Sequence, residues 1–528
     1  MDLFSVLVLL GGLLILGCVL SSKLSSRWSM PGLLIFLLIG VLVRLISLHD
    51  VVLSDVNNRL TWRMANHLGT IALCYILFSG GFESSLKEIK KVLVPGTLLS
   101  TMGVLMTALL LGGACFALRS VLGCMSGANL ATCLLFGAII SSTDAAAVFT
   151  ILRSRKVGLK GDLRALLEFE SGSNDPMATF LTLFFLGLTI DPEVSVGRSL
   201  LLFLPLFAWK MLVGLFIGWL FAQAAVALFN HSNLDHDGLY YVMGLSVVLL
   251  TYSVSNLSQA NGFVAVYAAG VFLGNRSFVF HNSFIRFSNA ISWLMQVVLF
   301  TMLGFMVTPS ILLKTWWQGL LLGGILMFVV RPIMVYVLLG GKRFSLQVRA
   351  LVSWVGLRGG APIMLATFPM LYQDKFAPVA SDGYTIAMVL FHLVFWMVLF
   401  SVACQSYTIM PWAKWLKLDA PLRIVPTAPI SFDRVSHRSS KGRAIDQNDY
   451  ADNRMQEFMV LPNSRLVGRA IKECALPQGV FVIMVQRGQR YIVPRGETIL
   501  QEGDTLTALG IRSALKQASE LFEAKDSN

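Results

Sequence analysis

The stretch ESGSNDPMATF, Glu170 to Phe180, sets two carboxylates, the serine hydroxyls of Ser171 and Ser173 and a carboxamide just ahead of the apolar run LTLFFLGL. Ser171 and Asp175 stand four residues apart and share a helix face. Pro176 donates no hydrogen bond to the preceding turn, so a carbonyl there stays available. A carboxylate, a hydroxyl and loose carbonyls are hard oxygen ligands suited to an alkali cation. A carboxylate that holds a proton or a cation, but not both at once, is the minimum device for exchanging one for the other.

The elements that must position these groups are membrane spans. Of the 528 residues 55% are hydrophobic and 13% charged, with a mean hydropathy of +0.71, whereas soluble chains carry about 25% charged residues. Apolar runs long enough to cross a bilayer, roughly 17 to 25 residues each, predict an all-α polytopic membrane protein. The spacing gives thirteen spans at 3–20, 31–48, 66–82, 93–118, 129–151, 165–189, 203–229, 239–256, 262–279, 284–308, 316–339, 349–372 and 383–409. The first reads as a retained span, because no basic segment precedes it and Ser21-Ser22-Lys23 is a poor cleavage site.

Fifteen Lys and Arg residues fall in the loops after odd-numbered spans and six after even-numbered ones. By the positive-inside bias the N-terminus is then outside and the C-terminus cytoplasmic. The same bias accounts for much of the +13 formal charge, so nucleic-acid binding is not indicated. The seven cysteines show no paired spacing, and HSNLDHDG at 231–238 reads as a solvated turn, so neither a disulfide framework nor a metal site is expected.

Two spans are interrupted near their middles. The fifth is broken by Ser141-Ser142-Thr143-Asp144, and the twelfth, seven spans later, by Gly356-Leu357-Arg358-Gly359-Gly360-Ala361-Pro362. Irregular backbone at membrane depth survives only against protein or a water-filled cavity. Paired interruptions predict inverted repeats, with two crossed broken helices and an ion site at the midplane. Packing kinks alone do not explain an Asp in one break and an Arg in the other, since charges at this depth cost several kcal/mol unless paired or hydrated, on the order of 3 or more. The division predicted is a transmembrane domain over 1–412, a polar linker over 413–454 and a small α+β cytoplasmic domain over 455–528. EFMVLP, VFVIMVQ, RYIVP and TLTALG read as its strands, Ser464 to Glu473 as a capped helix and Ser513 to Ala524 as a terminal helix.

SSTDAAAV, FESGSNDP and GLRGGAP together resemble the monovalent cation:proton antiporters of the NhaP branch, relatives of the Na+/H+ exchangers, over about residues 1–410. Residues 455–511 resemble the C-terminal ligand-binding module of Trk-type potassium transport regulators. The combination is similar to bacterial inner-membrane K+/H+ antiporters. The resemblance implies a secondary transporter without cofactor that exchanges K+, with Na+ as the alternative, for H+. Asp175 would be the exchanged carboxylate and Asn174 its neutral neighbour. The Thr143 carbonyl or hydroxyl and Ser171 would add oxygen ligands beside Asp144. Glu170 would pair with Arg358, and Glu83 would reach the site through water. A homodimer, contact with membrane lipids and a small cytoplasmic ligand on residues 455–511 complete the expectation. For Glu170 and Arg358 a purely structural ion pair fits equally well. Arg331 reads as snorkelling or bonded to a carbonyl, Lys210 as snorkelling, and His392 as locally hydrogen-bonded. A channel would need a filter sequence that is missing. An intramembrane aspartyl protease built on Asp144 and Asp175 would leave the paired breaks unexplained.

Overall fold

The computed structural model describes residues 11–47, 59–421 and 453–518, apart from 13–14, 21–31, 145–147, 150–151, 153–156, 192–195, 233, 235, 342–343, 380–383, 461–465, 475, 488–489, 512–513 and 516. Most of the first span, three of the alanines in SSTDAAAV, several loop cations and most of the linker and terminal helix lie outside the described residues. The chain forms two units, Met1–Leu422 and Arg423–Asn528.

The first unit is helical. After helical residues at 15–20 come α1 (Gly32–Ser47), α2 (Arg59–Glu83), α3 (Leu86–Leu122) and α4 (Leu130–Ile139). A short strand, β1 (Val157–Leu159), leads into α5 (Leu163–Ile190), α6 (Val196–His231), α7 (Asp237–Leu257), α8 (Gly262–Gly274) and α9 (His281–Phe305). The rest is α10 (Pro309–Lys314), α11 (Trp316–Leu338), α12 (Leu346–Trp354), α13 (Gly360–Leu365), α14 (Thr367–Met370), α15 (Ile386–Trp415) and β2 (Asp419–Pro421). Among the described residues six helices, α3, α6, α7, α9, α11 and α15, are long and apolar enough to cross a membrane. The 28-residue α5, which carries ESGSNDP, falls outside that set because its polar residues lower its hydropathy.

Apolar side chains cover the surface as well as filling the core. Leu200, Leu201, Leu204 and Leu212 of α6 and Val337 of α11 are well exposed, while Ser142, Asn174, Glu170 and Arg358 are at most 2% exposed. Large apolar side chains on the surface suit contact with lipid, and these polar groups lie inside, where they can pair. Tight helix contacts use glycine: a Cβ on Gly40 would meet the Gly304 backbone of α9, and one on Gly137 the Ala108 backbone of α3.

The boundaries shift most where a proline or glycine controls them. Helix α3 is longer than the predicted 93–118 and contains a π-helical turn, Leu99–Gly103. Helix α11 contains a second, Leu326–Val330, just before Pro332, which cannot donate to the carbonyl four residues back. The predicted ninth span ends early, at Gly274, and Asn275 then donates to the carbonyls of Ser84 and Val271.

The start of the predicted linker is structured. Asp419–Pro421 pairs antiparallel with Val157–Leu159, and Lys160 donates from its backbone N–H to Leu418 and from Nζ to the Lys417 carbonyl, 3.0 and 2.9 Å. The exit of the last helix is therefore strapped to the segment immediately preceding α5.

The second unit is built on a four-stranded antiparallel sheet of β3 (Asn453–Met459), β4 (Phe481–Arg487), β5 (Arg490–Ile492) and β6 (Thr505–Ile511), in the order β3-β6-β4-β5. Phe458, Val485, Leu500, Leu506 and Leu515 form its core. Asp504, fully buried, takes a two-pronged ion pair from Arg487, both bonds 2.8 Å, and accepts the Gln501 backbone N–H. The helix expected over Ser464 to Glu473 is not formed as such. Its described part contains only a 3-10 turn, Ile471–Glu473, because Gly468 adopts a φ of +80° and Ala470 bridges to Ile499.

Candidate functional site

Helix α4 ends at Ile139, and the chain runs irregularly through Ser141, Ser142, Thr143 and Asp144. Helix α12 ends at Trp354, and α13 begins only at Gly360. The two gaps meet: the Asp144 backbone N–H donates to the Leu357 carbonyl at 2.7 Å. Gly359 is required by this approach, because a Cβ there would collide with the Asp144 carboxylate.

Helix α5 lies against the first gap with the polar face anticipated from its sequence. Ser171 Oγ donates to the Thr143 carbonyl at 2.9 Å, Asn174 Nδ2 donates to Thr143 Oγ1 at 2.5 Å, and Ser142 Oγ donates to the Asp175 carboxylate. Asp175 is 9% exposed and Asn174 1%, and Asn174 Oδ1 has no hydrogen-bond partner. Asp175, Ser171, Thr143, Ser142 and Asp144 all line one cavity of about 370 Å³. An anionic oxygen, two hydroxyls and a carbonyl freed by a helix break are thus gathered at one place, a ligand set for a dehydrated monovalent cation. Ser142 joins this cluster although sequence reasoning does not single it out: it stands inside the motif, but its short side chain and position one residue before Thr143 give no separate signal.

Glu170 does not pair with Arg358. It forms a buried ion pair with Arg331 of α11, Nη1 to Oε1 at 2.6 Å. The π-helical turn before Arg331 adds a residue to the helix and so rotates Arg331 and the rest of α11 about the helix axis. Arg331 also lies 3.4 Å from the Val352 carbonyl and packs so closely on Gly356 that a Cβ there would fall 2.6 Å from Nε. The expectation that Arg331 snorkels is corrected accordingly, although the expected carbonyl contact is present. Arg358 instead donates from Nη1 to the carbonyls of Ser141 and Ser142, at 2.5 and 2.7 Å, and its own N–H is held by Ser401 Oγ at 3.1 Å. It supplies positive charge and donors to the oxygens that the first break orphans. Spacing does not reveal this exchange of partners, because both arginines are equally isolated in the sequence.

Glu83, at the end of α2, lines the same cavity as Asp175 and accepts from Asn289 Nδ2 at 2.5 Å. Glu168 lies further towards the start of α5, bridged to Arg164 at 2.9 Å, and both line the cavity. Tyr267 of α8 closes one wall, its ring packed against Gly172. His392 stays local: its Nδ1 pairs with the Met388 carbonyl and its Nε2 receives the Thr308 N–H, 2.7 and 2.8 Å.

Similarity to known proteins divides along the two units. The sodium/hydrogen exchanger transmembrane family matches residues 9–415, and the TrkA-C domain matches 455–523. The chain belongs to the sodium/hydrogen exchanger family. Similar relatives include the K(+)/H(+) antiporter NhaP2 of Shewanella sp. (strain ANA-3), 34% identical over 97% of this chain and 83% of the relative. Another is the K(+)/H(+) antiporter NhaP of Alkalimonas amylolytica, 30% identical over 96% and 82%. Among solved structures the sodium proton antiporter MjNhaP1 from Methanocaldococcus jannaschii at pH 8 matches with a TM-score of 0.65 and 25% identity, over 79% of this chain and all of that one. This exchanger is therefore a multi-pass cation:proton antiporter, a secondary transporter and not an enzyme, which sets aside the protease alternative. Antiport of this kind needs no cofactor.

Proposed function

We propose that the exchanger trades K+ for H+, with Na+ as the alternative cation, and that Asp175 binds proton and cation in competition. Thr143, Ser171, Ser142 and Asp144 shape the cation shell, Asn174 holds the first break in place, and Glu83 lies on the path inward. The observation that carries this reading is the meeting of Asp175, Ser142 Oγ, Ser171 Oγ and the Thr143 carbonyl around one cavity at a helix break. The preference for K+ rests on the relatives named K(+)/H(+) antiporters. Since Asp175 is then the one group that changes protonation, one cation moves for one proton and transport is electroneutral. A clamped membrane potential is expected to leave the rate unchanged, and strong dependence on it would overturn the stoichiometry.

The architecture that goes with this is thirteen spans in inverted repeats, N-terminus outside and C-terminus cytoplasmic, in a bacterial inner membrane and as a homodimer. Its support is the loop-charge bias and a second correspondence seven spans apart: each broken segment follows a helix with a π-helical turn, and the turn in α3 packs on α11 while that in α11 packs on α3. The working division is an exchanger domain, a linker beginning after Pro421 and a regulatory domain from 455 that binds a small cytoplasmic ligand. The strap between Asp419–Pro421 and Val157–Leu159 offers such a domain a mechanical route to α5. Truncation after residue 421 is expected to leave exchange intact and change its dependence on pH or ion concentration. An unchanged profile in vesicles would rule out regulation by the tail. Proton movement in proteoliposomes that starts only on addition of K+ or Na+, compared side by side, tests both the exchange and the ion preference.

A further inference from the structure

A second cavity, of about 350 Å³, lies one helical turn along α5 from the first. Glu168, Ser171 and Asp175 line the first cavity and Thr179, Phe180 and Leu183 the second, so a single turn of α5, about 6 Å of rise, separates them. The side of the second cavity away from α5 carries the polar side chains of Lys210, Tyr252, Asn256 and Asn261 among apolar ones such as Leu206, Phe263 and Phe368. Asn261 is 7% exposed and occupies the junction. Its Oδ1 caps α8 by accepting the N–H groups of Phe263 and Val264, and its own N–H is anchored on the Lys210 carbonyl at 3.0 Å. Only Nδ2 is left, and it donates to the Pro176 carbonyl, next in sequence to Asp175, at 2.9 Å.

We infer that the second cavity is the outer half of the ion path and that the Asn261 amide on the Pro176 carbonyl is the latch that keeps it closed from Asp175 in this conformation. The inference rests on the exchange reading and orientation given above. Asn261 belongs to a corner fixed to α6 and α8, while Pro176 belongs to the helix that carries the exchanged carboxylate. For Asp175 to be reached from the outer cavity, α5 has to move relative to that corner, and this bond is a polar contact that such a movement breaks. The Lys210 ammonium in the same cavity lowers cation affinity on that side, which favours release there.

The test is accessibility of Thr179→Cys from outside right-side-out vesicles to a membrane-impermeant cationic methanethiosulfonate. Cys124 and Cys404, the native cysteines that are not buried, are replaced by Ser. Asn261→Ser and Asn261→Asp retain a good helix cap but lose the amide donor. Both are expected to speed labelling about tenfold, the effect of roughly one hydrogen bond, and to weaken the apparent K+ affinity measured from the cytoplasmic side. Unchanged labelling in both variants, or rapid labelling already in the parent, overturns the latch. Should neither variant fold, the parent decides: labelling is expected to accelerate when opposing K+ and proton gradients drive turnover, and a constant rate refutes the outer path. Labelling does not require Asp175 to be the ion site, so failure here leaves that claim to be judged separately.

Discussion

The two broken segments meet but contribute opposite chemistry. Ser141 to Asp144 exposes oxygens: two carbonyls point at Arg358, a third accepts from Ser171, and Ser142 Oγ reaches Asp175. The segment from Val355 to Gly359 brings a guanidinium and two glycines that let Asp144 and Arg331 approach the backbone. In the proposed reading one break builds the cation shell, while the other donates to the carbonyls of Ser141 and Ser142. A helix break in a membrane is not by itself an ion site; the charge carried by its partner determines which oxygens remain for the ion.

The largest expected effect lies in the neighbouring ion pair. Arg331→Met leaves Glu170 charged and buried, and breaking such a pair costs about 3–5 kcal/mol. Thermal unfolding in detergent is expected to show a large loss for Arg331→Met, and Arg331→Met with Glu170→Met is expected to recover most of it. Equal loss in the single and double variants would dismiss the pairing.

Arg358→Met is expected to cost somewhat less, about 2–3 kcal/mol, because it removes its own charge and orphans only the carbonyls of Ser141 and Ser142. Exchange is expected to fall with it, since those carbonyls set the shape of the break. Full activity in this variant would show that the second break does not organise the first. A smaller change separates shell from scaffold. Ser171→Ala removes one hydroxyl, and the apparent cation affinity is expected to weaken about tenfold, roughly 1.4 kcal/mol, with the maximal rate preserved. Smaller still is Glu83→Gln, expected to shift cation affinity less than about threefold because Glu83 lies outside the oxygen shell and is bonded to Asn289.

The same contrast separates what is legible in the sequence from what is not. Composition and the polar stretches after α4, in α5 and in the α12–α13 gap point to a membrane transporter and to the residues that the cavity brings together. Ser171 and Asp175 share a face through helix periodicity alone, which is why they are readable. Partner choice is not: Glu170 selects Arg331 over Arg358 through a π-helical turn and a close contact at Gly356, three-dimensional features with no period to betray them. The pairing of Asp419–Pro421 inside the expected linker is hidden for the same reason, since three residues that pair with a distant strand look like polar connection until the partner is seen. In the tail, alternating apolar residues expose the strands, while Gly468 overrides the apparent helix signal.

The central claim is that proton and cation compete for Asp175, and the most direct measurement is the apparent KM for K+ across a pH series in proteoliposomes, for the parent and for Asp175→Asn. Below the pKa of the site, competition requires KM to fall about tenfold for each unit that pH rises, reaching a plateau above it, with the maximal rate at saturating K+ little changed. Asp175→Asn is expected to remain folded, since an amide is cheaper to bury than a carboxylate, and to show no exchange at any pH. Exchange persisting in folded Asp175→Asn protein, or a parent KM that ignores pH where activity changes, would contradict the account.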